Sequence, residues 1–140
     1  MWEEIRDFAP AELDRHDLVY RRWVRRETVA GRFLARIVET PRGETVGSGA
    51  LWLMPMQPRP GPLGRGEMPY ILSMYTEVPY RGHGVASRIV QDFVRWSMAR
   101  RYGRIFLHAS TAGRPVYTRL GFAAGSEMRL ELPPPRRRGR

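Results

Sequence analysis

The residues most able to do chemistry lie where a strand-like run gives way to a helical one, in the stretch Ser73-Met74-Tyr75-Thr76-Glu77-Val78-Pro79-Tyr80-Arg81-Gly82-His83-Gly84-Val85-Ala86-Ser87-Arg88. A strand ends, a turn holding two glycines follows, and a helix opens. The first few N–H groups of such a helix have no intrahelical partner and carry the positive end of its dipole. Small residues there let an anion reach the backbone, so the stretch reads as a phosphate-type site with Arg81 and Arg88 beside it. A metal centre is not expected, because His16, His83 and His108 share no ligand spacing and the chain has no cysteine.

The elements that must position this junction follow from periodicity. From residue 2 to about 30 the pattern is helical: Trp2, Ile5 and Phe8 recur at three, Pro10 suits a first turn, and Leu13, Tyr20, Trp23 and Val24 continue the apolar stripe. Arg21, Arg22, Arg25 and Arg26 occupy its solvated face. Phe33–Glu39 and Thr45–Leu53 form a β-hairpin around the turn Thr40-Pro41-Arg42-Gly43-Glu44. Pro55 to Pro69, rich in proline and glycine, reads as a surface loop. A strand from Tyr70 to Glu77 precedes a helix with Val85, Ile89, Phe93 and Trp96 on one face. A strand from Arg104 to Ala109, a short helix from Pro115 to Leu120 and a closing strand from Glu127 to Leu132 complete the order. The fold class is therefore α/β (α+β), a mixed, mostly antiparallel sheet flanked by helices.

Three kinds of anion-binding turn compete for the junction. The mononucleotide P-loop requires a Gly-Lys-Ser/Thr ending, and the chain contains no lysine. The dinucleotide fingerprint needs glycine where Ser87 stands and a place in a first βαβ unit. The third pattern, Arg/Gln-x-x-Gly-x-Gly/Ala, is met by Arg81, Gly84 and Ala86. It resembles the acetyl-CoA pyrophosphate loop of the GCN5-related N-acetyltransferases. Val116-Tyr117-Thr118-Arg119-Leu120-Gly121-Phe122 is similar to that family's L-Y-x-x-L-G-F segment and follows in the right order. The resemblance covers residues 33 to 132 and implies the acyl-CoA N-acyltransferase fold, here without its usual first strand.

The resemblance further implies acetyl-CoA as co-substrate and an N-acetyltransferase that moves the acetyl group to a primary amine. Its pantetheine arm would lie along Met74, Tyr75 and Thr76, with the pyrophosphate on the turn and helix start formed by Arg81, Gly82, His83, Gly84, Val85, Ala86 and Ser87. Ser110 either contacts that arm or caps the following helix. Tyr117 is expected as the acid that protonates the leaving thiolate, its alternative being plain packing against Leu120 and Phe122. Glu67, Glu77 and His108 are candidates for the base, with none singled out. Without cysteine, the amine attacks directly in a ternary complex.

Charge bounds the remaining classes. The 140 residues carry a net charge of +10 with 24 arginines and no lysine. Four arginines, Arg136, Arg137, Arg138 and Arg140, lie in a proline-led tail from residue 133, leaving +6 on a single domain spanning residues 1–132. A basic protein binding nucleic acid or another polyanion is thus the alternative, together with a non-catalytic acyl-CoA-binding relative; nucleic acid is not the expected partner. The expected partner is a small-molecule or peptide amine, with a homodimer covering the exposed sheet edge. No signal peptide or membrane span is evident, and a cytoplasmic location is expected.

Overall fold

The computed structural model describes residues 9–61 and 65–133. Helix α1 covers Pro10–Val29, with proline in the first turn where its missing N–H costs nothing. Leu13, Tyr20, Trp23 and Val24 form its partly buried face, and Arg21, Arg22, Arg25 and Arg26 are exposed as expected. Trp2, Ile5 and Phe8, the expected start of this helix, and the arginines of the tail lie outside the described residues.

Four strands form the sheet: β1 (Phe33–Glu39), β2 (Thr45–Pro55), β3 (Glu67–Thr76) and β4 (Phe106–Leu107), in that spatial order. The first two pairings are antiparallel and β3–β4 is parallel, so the sheet is mixed and mostly antiparallel. Helix α2 (Val85–Ala99) is the crossover between the parallel strands, and α3 (Arg114–Arg119) follows β4. Successive strand residues point to opposite faces. Leu51 and Ile71 therefore meet Ile89, Val90 and Phe93 of α2, while their neighbours Trp52 and Tyr70 turn toward the side of α1. Each of those five core side chains contributes about 1.5–3 kcal/mol through burial.

The α1 side is held by rings and one acid. Trp23 meets the edges of Phe33 and Trp52 at centroid distances of 5.5 and 5.1 Å. Glu27, only 3 % exposed, accepts from Arg32 at 2.7 and 3.1 Å, from Trp52 Nε1 at 3.0 Å and from Arg26 at 3.1 Å. Those donors, Arg32 first and Trp52 next, hold its carboxyl down at about 2.

The structure corrects four expectations. The strand before the junction starts at Glu67, so the end of the proline-rich loop belongs to the sheet, with Pro69 opposite Leu53. Strand β4 reaches only as far back as Tyr70, which leaves Pro69 where a missing N–H is tolerated. Of the expected strand 104–109, only Phe106–Leu107 is paired. The short helix starts one residue earlier and ends one earlier than expected. The closing strand is absent among the described residues: residues 127–132 have no regular secondary structure and are exposed, with Met128, Leu130 and Leu132 at 94, 81 and 78 %. Alternation makes a strand only where a neighbour offers a ladder, and none pairs with this segment among the described residues.

Candidate active site

The site begins where β3 and β4 part. Their pairing ends at Ile71 and Leu107, and β3 runs on to Thr76 beside β2. Within that stretch β3 carries an extra residue: Ser48 lies opposite Tyr75 while Ala50 lies opposite Leu72, two steps on β2 against three on β3. Ser73 takes up the surplus at φ 53°, a left-handed conformation that costs a side-chain-bearing residue about 1–2 kcal/mol. Past this bulge Met74 faces α2, in contact range of the space above Gly49, where a Cβ would overlap Met74 Sδ and Ile89. Glycine at 49 is thus what lets β2 and the bulged strand approach.

Beyond β3 a short 3₁₀ turn, Val78–Tyr80, leads to Gly82 and Gly84 at φ 77° and 80°. These left-handed glycines turn the chain so that α2 begins at Val85 with no side-chain cap on its first N–H groups. Arg81 braces the turn: its Nε donates to the Thr76 carbonyl at 2.9 Å and its guanidinium sits 5.6 Å from the Tyr75 ring centroid. His83 folds back on Arg81, its Nδ1 2.9 Å from the Arg81 carbonyl oxygen.

A cleft of about 720 Å³ joins the split strands to this helix start. Met74, Tyr75, Thr76, Arg81, Gly82, Gly84, Val85, Ala86, Ser87, Ser110 and Tyr117 all line it, so the structure gathers eleven of the twelve residues named from the sequence. His83 is the exception and stands outside the lining. Ser110 lines the cleft, and its Oγ accepts from the Gly113 N–H at 3.1 Å in the turn before α3, whose N-cap is Gly113 and carries no side-chain cap. Among the described residues the lining holds Arg81, Arg119 and His108 but no carboxylate.

Tyr117 is partly buried beside Phe122, ring centroids 6.0 Å apart and nearly edge-on. Its hydroxyl has no hydrogen-bond partner among the described residues. Burial raises its pKa above the ordinary phenol value, which keeps the hydroxyl protonated. His108, one residue beyond β4, is exposed rather than a core histidine and lies 5.7 Å from the ring of Tyr70, on the α1 side of the sheet. The other two base candidates are elsewhere. Glu67 accepts a hydrogen bond from the Tyr102 hydroxyl at the far end of β3, and Glu77 does not line the cleft.

Three features here were not read from the sequence: the bulge at Ser73, the hydrogen bond from α1 that reaches it (Tyr20 and Ser73 oxygens 2.8 Å apart), and the buried Glu27. Each depends on partners distant in the chain and has no local signal. No group of three or more His, Asp or Glu side chains among the described residues could hold a metal, and no described helix is long and apolar enough to cross a membrane.

A split mixed sheet whose gap runs onto an uncapped glycine-led helix defines the acyl-CoA N-acyltransferase class of fold. Comparison with known proteins agrees: the Acetyltransferase (GNAT) family matches residues 1–122, and the chain belongs to that family. It is 30 % identical over 93 residues to a glucosamine 6-phosphate N-acetyltransferase of Trypanosoma brucei brucei, covering 66 % of this chain and 60 % of that relative. The chain therefore spans about three fifths of that relative's length. Among solved structures, it is similar to a predicted acetyltransferase with acetyl-CoA from Clostridium acetobutylicum (TM-score 0.70, 29 % identity, 80 % of this chain and 71 % of that one). A GCN5-related N-acetyltransferase from Ralstonia eutropha shares the fold at TM-score 0.76 and 21 % identity, covering 89 and 81 %.

Proposed function

We propose that this protein transfers an acetyl group from acetyl-CoA to a primary amine by direct attack in a ternary complex. The observation that carries this reading is the cleft of about 720 Å³: it opens where parallel strands part, ends on helix N–H groups without a side-chain cap, and has no carboxylate among its described lining residues. The uncapped start of α2 suits a pyrophosphate, through N–H donors and the helix dipole. The side of β3 beyond its pairing with β4, at Ser73 and Met74, offers backbone groups to the amides of the pantetheine arm, and Ser110 lines the same cleft. Arg81 contributes by fixing the turn and by its charge; His83 shapes the turn without facing the ligand.

The chemistry divides between the two faces of the sheet. The amine arrives from the α1 side, where His108 takes its proton as the C–N bond forms at the thioester carbonyl. The tetrahedral intermediate collapses by breaking the C–S bond, and Tyr117, on the α2 side, gives its proton to the departing thiolate. Solvent then returns a proton to Tyr117 and removes one from His108. The acceptor lacks multiple positive charges, since no acid is among the described residues that line the cleft. An amine bearing a phosphate, such as the one for which the trypanosomal relative is named, agrees with this arginine-bearing lining.

The test is thiol release from acetyl-CoA with a panel of primary amines that includes glucosamine 6-phosphate, spermidine and free amino acids. Turnover with anionic or neutral amines supports the reading. Acetyl-CoA binding without turnover on any amine would make the chain a non-catalytic relative.

A further inference from the structure

The strained residue of the cleft is held from a distance. Ser73 adopts a left-handed backbone conformation without being glycine, and its Oγ lies 2.8 Å from the hydroxyl oxygen of Tyr20, 53 residues earlier on α1. Tyr20 is itself fixed by its neighbours on the helix, stacked on His16 at 6.0 Å and on Trp23 at 5.9 Å. Trp23 in turn is wedged against Phe33 and Trp52 of the sheet. The chain of contacts thus runs from the body of the sheet through α1 to the one residue where β3 departs from regular pairing.

We propose that Tyr20 is a positioning residue for the acetyl-CoA site: its hydroxyl pins Ser73 in the bulge that separates β3 from β4 and so sets how the strand from Ser73 onward lines the cleft. This rests on the cofactor reading given above. A serine that relaxed to ordinary extended geometry would restore the regular alternation of β3 and turn Met74, Tyr75 and Thr76 to the opposite faces. The register of the pantetheine-binding strand is then set by a side chain that does not touch the cofactor.

The experiment measures acetyl-CoA affinity by calorimetry, with melting temperature alongside, in wild type, Tyr20→Phe, Ser73→Gly and the double variant. Tyr20→Phe keeps the ring and its stacking, so a five- to tenfold weaker affinity with a melting temperature within a few degrees of wild type is expected. Glycine enters the left-handed region unaided, so in the Ser73→Gly background the Tyr20→Phe change is expected to cost no further affinity. Equal affinity in Tyr20→Phe and wild type overturns the proposal, as does a double variant that binds more weakly than Ser73→Gly alone. Should Tyr20→Phe fail to fold by circular dichroism, Ser73→Ala removes the same hydrogen bond from the other side; unchanged affinity there overturns the proposal, and a matching loss supports it. A wild-type chain that binds no acetyl-CoA overturns the cofactor reading and this proposal with it, an outcome distinct from binding that is indifferent to Tyr20.

Discussion

His108 and Tyr117 line one cleft from opposite faces of the sheet, the first beside Tyr70 and the second beside Phe122. A reaction that takes a proton from one partner and gives one to the other needs two groups so placed. The split between β3 and β4 opens the cleft that both side chains line.

Tyr117→Phe removes the acid but keeps the ring against Phe122. Turnover should fall about 100-fold or more, as for loss of a general acid, while the dissociation constant for acetyl-CoA stays within about twofold. Burial raises the phenol's pKa, so the protonated form persists above the ordinary value of 10. Any alkaline loss from this group in a wild-type rate profile should therefore have its midpoint above pH 10. Initial rates against pH check both statements.

Replacing His108 by Gln should lower kcat with little change in acetyl-CoA affinity. Lacking a base, the variant depends on amine that is already deprotonated. Its rate should climb with pH along the ionisation of the chosen amine, and the gap to wild type should narrow in alkali. Parallel curves for the two proteins would exclude a base at this position.

Ser87→Glu sets stability against binding. A carboxylate in the first turn of α2 favours the helix dipole by about 0.3–1 kcal/mol. The same charge repels a pyrophosphate from that turn, so acetyl-CoA affinity should fall by more than tenfold while the melting temperature holds or rises. A variant that melts as wild type and binds as wild type would remove the phosphate from this site.

Glu27 governs acid stability. Its carboxyl sits at about 2 in the folded chain against 4.5 when unperturbed, because Arg32, Trp52 and Arg26 donate to it. A depressed folded value means that the stabilisation is complete above pH 4.5 and is lost as pH falls toward 2. Glu27→Gln should be less stable than wild type at neutral pH and should lose less stability between pH 4.5 and 2. Denaturant unfolding at pH 7, 4 and 3 measures the difference.

Phe93→Ala opens a cavity in the middle of the α2 face, where Phe93 and Val90 have no exposed surface. A loss of about 3–5 kcal/mol is expected. The cleft borders this core through Val85 and Met74, so acetyl-CoA should recover part of the loss when present in excess.

The strand–turn–helix junction was legible because its signals are local: glycines at 82 and 84, a β-rich run before them and a 3.6-residue period after them. The hairpin and α2 were legible for the same reason. What escaped depends on tertiary partners. The bulge at Ser73 exists only against Ala50 and Ser48 across the ladder, and Glu27 is buried only because Arg32 and Trp52 come to it. The alternation at 127–132 promised a strand that has no pairing neighbour, and Pro69 looked like loop because its tolerance depends on how short β4 is. His83 belonged to the motif by position, yet its ring turns to the Arg81 carbonyl instead of the cleft.

The most direct test of acetyl transfer is quantitative: free thiol released per molecule of acetylated amine, with acetyl-CoA and glucosamine 6-phosphate or another responsive amine at saturation. The account predicts one thiol per N-acetyl product, with turnover abolished or reduced at least about 100-fold in Tyr117→Phe. Thiol release without acetylated product, or no release with any amine despite bound acetyl-CoA, would contradict it.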